Sequence, residues 1–182
     1  DEFVNKAIGN GIDIIRIFDA LNDTRNLQKA IEATKKYGGI AQGAISYTIS
    51  PAHTNEVFIN LAKEIEQMGA DSICIKDMAG LLNPYNTYDL VKQVKSEIKI
   101  PLELHTHATS GMGSMAYLKA AEAGVDIIDT ALSPFGEGTS QPSTEPLVYT
   151  FKGTEYDTGL NMDLLNKAAA YFKPIREKYI ES

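Results

Sequence analysis

The chain has 182 residues, 43% of them hydrophobic and 23% charged, which is enough for one well-packed core and unlike a disordered or fibrous segment. A formal net charge of −7 without any cluster of Lys or Arg argues against a phosphate-backbone partner and leaves small acidic substrates open. No run reaches the ~18 to 20 apolar residues that span a bilayer, the N-terminus lacks a basic segment before an apolar one, and the single Cys74 excludes an internal disulfide, so the expected location is cytoplasmic.

From the N-terminus, Phe3, Val4, Ala7 and Ile8 recur at helical spacing up to the stop Asn10-Gly11. Ile12–Phe18 reads as a strand ending at Asp19, and Asn22-Asp23 as the N-cap of a helix over 24–37 that stops at Gly38-Gly39. Ile40–Thr48 is a second strand, broken at Ser50-Pro51. A helix from about Thr54 to Met68 follows, with Val57, Phe58, Leu61, Ala62 and Ile65 on one side. Beyond Gly69 comes a run of β-branched residues, Ser72-Ile73-Cys74-Ile75, ending in Lys76-Asp77. It reads as a buried parallel strand with polar chemistry at its C-terminal tip. Pro84 marks the next helix start, and 101–107 the fourth strand. A helix to Gly124 and a fifth strand over Val125–Ala131 complete a repeat of roughly 25 to 31 residues per strand–helix unit. Such a repeat implies right-handed crossovers and a parallel sheet, closed either as an open doubly wound sheet or as part of a (βα)₈ barrel. The tail holds a polar loop over 136–143, a helix over Thr144–Phe151, a turn-rich link, and a last helix over Met162–Ile180 that Pro174 should kink. Residues 1–152 are thus read as the βα portion and 153–182 as a helical extension.

Functional groups of a parallel sheet belong at the C-terminal strand ends, where Asp19, Lys76, Asp77, His105 and His107 lie. In His105-Thr106-His107, strand alternation puts two imidazoles on one face about 6 to 7 Å apart, close enough for both to reach one divalent ion. The plainer alternative is one buried and one solvated His; His53, in a loop, reads as solvated. Lys76 is either an ion-pair partner of Asp77 or Asp19, or a partly desolvated amine nucleophilic toward CO₂ or a carbonyl. Asp19 could cap the next helix or serve substrate. Thr139, between Gly136-Glu137-Gly138 and Ser140, could be a turn residue or lie close to a ligand.

Cys74-Ile75-Lys76-Asp77-Met78-Ala79-Gly80-Leu81-Leu82 resembles the carboxyltransferase domain of biotin-dependent enzymes: pyruvate carboxylase, the oxaloacetate decarboxylase α subunit and transcarboxylase. The likeness extends over Phe18-Asp19-Ala20-Leu21-Asn22-Asp23, Gly43 to Pro51, Leu104 to His107, Gly138-Thr139-Ser140-Gln141-Pro142 and Tyr156 to Leu160. It implies a (βα)₈ TIM barrel with a divalent metal (zinc, manganese or cobalt) at the mouth. Lys76 would be a carboxylated ligand, His105 and His107 the imidazole ligands, Thr139 the catalytic threonine, and Asp19 a candidate substrate contact. The reaction implied is carboxyl transfer between carboxybiotin and pyruvate or oxaloacetate. Biotin would come from a carboxyl carrier domain, in a homo-oligomer or multi-subunit complex, because the chain has no Met-Lys-Met-type attachment segment. Five of the eight strands are expected here, strands four to eight, and the family's first-strand aspartate ligand has no counterpart, so the chain reads as a partial barrel. The rivals are a metal-dependent acyl-CoA lyase or synthase of the wider superfamily, which the lysine segment disfavours, and an inactive piece needing a partner chain.

Overall fold

The computed structural model describes residues 1–180. Five parallel strands form one sheet in sequence order: β1 (Ile14–Phe18), β2 (Ile40–Ser46), β3 (Ser72–Asp77), β4 (Leu102–Thr106) and β5 (Ile127–Ile128). Between them run α2 (Arg25–Lys36), α3 (Asn55–Gln67), α4 (Pro84–Glu97) and α5 (Gly113–Glu122). Helix α1 (Glu2–Gly9) precedes the sheet, and α6 (Thr144–Phe151) and α7 (Met162–Glu177) follow it. Among the described residues, no helix is long and apolar enough to cross a membrane.

Strand alternation sorts the sheet into two faces. One face, Ile17, Ala41, Ile45, Ile73, Ile75, Leu102 and Leu104, packs under the helices with Leu27, Ile31, Phe58, Ile65, Leu90 and Val94 as the core. Gly43 belongs to this face: a Cβ there would overlap Ile65 Cγ2, so the glycine is what lets α3 sit directly on β2. The opposite face carries polar groups in register. Ser46, Lys76 and His105 are successive neighbours across β2, β3 and β4, with Ala44, Cys74 and Glu103 one layer below.

Several boundaries differ from the sequence reading. The fifth strand is two residues long, although Asp126 and Asp129 still donate their N–H groups to Leu102 and Leu104 carbonyls. Its extended path therefore continues along β4 beyond the strand itself, and Ala131 then bridges to Ser143. The N-cap position of α2 is Thr24, while Asp23 pairs with Arg25. Helix α7 ends at Glu177, three residues before Ile180, and tolerates Pro174 within it. Its stripe is only half-buried, with Phe172 against Phe135, and Leu164 and Tyr171 of the expected packing face are exposed. His53 is half-buried rather than solvated: Ser50 Oγ lies 2.7 Å from its Nδ1, and its ring stacks on Phe58.

Candidate active site at the strand tips

Asp77 explains the segment after β3. Its carboxylate is fully buried and points away from Lys76. It accepts from Leu81 N–H (3.0 Å), Leu82 N–H (2.9 Å) and the Thr106 hydroxyl (2.8 Å), so it fastens the loop to β4. Gly80 closes the same turn at φ +67, where a Cβ would come within 2.6 Å of the His107 carbonyl oxygen. The Asp-x-x-Gly spacing is therefore structural, and an Asp77–Lys76 ion pair is ruled out by the opposite directions of the two side chains.

Lys76 remains at the tip, half-buried, with its Nζ 5.6 Å from the Phe18 ring centroid and 3.5 Å from His105 Nε2. Among the described residues it forms no ion pair. Asp19 is occupied elsewhere: it accepts from Leu21 N–H, Asp23 N–H and the Asn26 amide, and these bonds, the one from Asp23 first, hold its carboxyl below the usual range. Asp19 thus shapes the turn into α2, the capping role the sequence also allowed.

His105 and His107 come together as the pattern required, with ring centroids 5.1 Å apart and near edge-on. Each has one nitrogen committed. His105 Nδ1 lies 2.7 Å from Asp129 Oδ2 and His107 Nδ1 lies 2.6 Å from the Thr139 carbonyl oxygen. Carboxylate and carbonyl oxygens can only accept, so both Nδ1 atoms carry a proton, and in the neutral imidazole the lone pair is then at Nε2. On His105 that lone pair meets two donors, Lys76 Nζ and the Gln141 amide nitrogen at 3.4 Å. Thr139 itself is exposed, and it touches His107 through its main chain.

Arg16, Gln42 and Asp129, together with Glu103 below His105 on β4, complete the site. Arg16 reaches across from β1 to Asp129 (2.8 Å), Glu103 and Gln42, and Gln42 donates in turn to Glu103 at 2.8 Å. Burial, with the nearby Asp129 charge, pushes the Glu103 carboxyl up. Burial would do the same to Asp129, but hydrogen bonds from His105 and Arg16 outweigh it and hold that carboxyl well below the usual range. Inward alternation on β1 and β5 is the signal that could have flagged Arg16 and Asp129. Which of those inward groups would meet His105 depends on register across all five strands of the sheet.

The two imidazoles suit a divalent ion: each presents Nε2 and has its Nδ1–H fixed by an acceptor, the usual arrangement of metal-binding histidines. Among the described residues no group of three or more His, Cys, Asp or Glu side chains converges to hold a metal, so an ion held by this pair would take a further ligand beside it. Lys76 and Gln141 are the side chains that face His105 Nε2.

Parallel strands with helical crossovers and a cluster of Lys, His and carboxylate groups at one sheet face define an α/β protein built like part of a TIM barrel. The chain belongs to the HMGL-like family, whose model matches residues 18–171. A pyruvate carboxylase subunit of Methanocaldococcus jannaschii is 59% identical over 179 residues, covering 98% of this chain and 32% of that protein. The methylmalonyl-CoA carboxyltransferase 5S subunit of Propionibacterium freudenreichii is 47% identical over 181 residues, 98% of this chain and 36% of that one. The carboxyl transferase domain of Rhizobium etli pyruvate carboxylase, solved with pyruvate and biocytin, matches with a TM-score of 0.95 at 36% identity, over 97% of this chain and 31% of that one. The chain therefore spans about a third of the length of the M. jannaschii and P. freudenreichii relatives. The five-stranded sheet is part of a carboxyltransferase-type barrel, as the sequence likeness implied.

Proposed function

We propose that this chain carries part of the active site of a biotin-dependent carboxyltransferase, which moves a carboxyl group between carboxybiotin and pyruvate or oxaloacetate. The observation that carries this reading is the pair of imidazoles at the C-terminal end of β4 with both Nδ1 protons tied down, set beside the lysine of the Lys76-Asp77-Met78-Ala79-Gly80 segment. The pyruvate carboxylase and carboxyltransferase names of its relatives, and the pyruvate and biocytin with which the R. etli domain was solved, support the substrate class.

In this reading His105 and His107 hold a divalent ion (zinc, manganese or cobalt) through Nε2, and Lys76, carboxylated by CO₂ to a carbamate anion, supplies the hard oxygen ligand the imidazoles lack. The ion would contribute Lewis-acid stabilisation of negative charge on the pyruvate carbonyl oxygen as the methyl proton leaves. Carbon dioxide released from carboxybiotin then bonds to the pyruvate C3, and the proton lost from C3 goes to the biotin ring nitrogen, with the Thr139 hydroxyl as relay. That relay rests on the resemblance; what the geometry itself supplies at residue 139 is the carbonyl that orients His107. Asp19 would act by shaping the turn at the mouth.

Residues 1–152 would form the barrel portion and 153–182 a helical extension, with the rest of the barrel and the biotin carrier provided by residues or subunits outside this chain. The word "subunit" in the names of two relatives favours a multi-subunit complex.

Carboxyl exchange between oxaloacetate and biotin in the full-length protein tests the reading. Lys76→Gln should abolish both bound metal and exchange; exchange at the wild-type rate would overturn it. Thr139→Ala should stop exchange with the metal retained if the hydroxyl is the relay. Unchanged exchange would confine residue 139 to its carbonyl.

A further inference from the structure

We infer that Asp129 is the positioning residue of His105, and that its particular task is to keep Arg16 from taking the Nδ1 position. The inference rests on the metal-site reading above and adds to it a residue just past β5, whose carboxylate bonds to His105 and Arg16 and, among the described residues, to neither of the other proposed ligands.

The geometry has two donors competing for one carboxylate oxygen. Asp129 Oδ2 lies 2.7 Å from His105 Nδ1 and 2.8 Å from Arg16 Nη1, while Arg16 Nη1 lies 3.5 Å from the same His105 Nδ1. A guanidinium has protons only to give. While Asp129 stands between them, Nδ1–H and Arg16 both donate to Oδ2, and the imidazole lone pair is at Nε2, on the side of Lys76 and Gln141. Remove the carboxylate and Arg16 is left with a donor 3.5 Å from Nδ1. Donation from Arg16 to Nδ1 requires the lone pair at Nδ1 and moves the ring proton to Nε2, where it would face Lys76 Nζ and block a metal. Arg16 cannot leave easily, because it is also tied to Glu103 and to Gln42 at 2.5 Å. Asp129 therefore does more than rigidify the ring. It selects the tautomer against a neighbour that favours the opposite one, and the arrangement needs β1, β4 and β5 in register at once.

The test measures metal affinity in the full-length protein by competition with a chelator, using Mn²⁺ and Zn²⁺ as probes, beside the thermal midpoint of the metal-free form. Asp129→Ala should weaken metal binding by roughly 10- to 100-fold or more. Asp129→Asn, which keeps shape and one acceptor oxygen, should weaken it less while leaving the metal-free midpoint near wild type, so a general loss of folding is separated from a loss of tautomer control. Wild-type affinity in both variants, or weakening that merely follows the metal-free midpoint, overturns the proposal. His105→Ala distinguishes the two levels: if it keeps its metal, the metal-site reading fails. If it loses metal while both Asp129 variants keep theirs, only the positioning role fails.

Discussion

Asp77→Ala is the substitution whose consequence follows most directly from the structure. It deletes a carboxylate that accepts from Leu81 N–H, Leu82 N–H and the Thr106 hydroxyl; the buried Leu82 N–H is left without its acceptor, and the Thr106 hydroxyl keeps only the longer bond to the His107 carbonyl at 3.4 Å. Hydrogen bonds to a charged group contribute ~1.5–3 kcal/mol each, so three give a ceiling of about 4.5–9 kcal/mol. Burying the carboxylate itself costs several kcal/mol, which the variant recovers, and the expected net loss is about 3–5 kcal/mol. That loss is local to the loop between β3 and α4, so amide hydrogen exchange reads it best: protection at Leu81 and Leu82 should fall by roughly two to four decades at ~1.36 kcal/mol per decade. Because Gly80 sits against the His107 carbonyl, the same opening should loosen the His107 end of the site. Protection at Leu81 and Leu82 within tenfold of wild type would show that Asp77 does not fasten this loop and would refute the reasoning.

Gly43→Val forces a branched side chain into the space of Ile65 Cγ2, and because Ile65 is itself β-branched on a packed helix it cannot swing aside; a cost of ~1–3 kcal/mol or more should appear as a lower thermal midpoint, and an unchanged one would contradict the close seating of α3 on β2. Asp71 ties Lys35 of α2 to the start of β2; burial opposes its ionisation, but Lys35 and the Ala41 N–H outweigh burial and hold the carboxyl below its ordinary value. A folded-state value below the unfolded ~3.9 means that its stabilisation is complete above that pH and is lost as pH falls through the folded value. Asp71→Asn should therefore flatten the acid limb of the stability curve below about pH 4, and an acid limb identical to wild type would refute the assignment.

Local periodicity in the chain is enough to set the helices, the parallel sheet and which strand faces are apolar. Ile73 and Ile75 lie under the helices while Lys76 faces the other way, as alternation requires. The same pattern brings His105 and His107 together, one at the end of β4 and the other just past it along the same extended path. It could not separate Lys76 paired with Asp77 from Lys76 beside the imidazoles. That was decided by Asp77 turning under the loop to meet backbone donors four and five residues on. Nor could it find Arg16 and Asp129, which lie 89 and 24 residues from His105. Hydrogen bonds of that kind depend on the register of β1, β4 and β5 and on the curvature of the sheet. Only the assembled fold sets these, because no local pattern carries the distance between one strand and another.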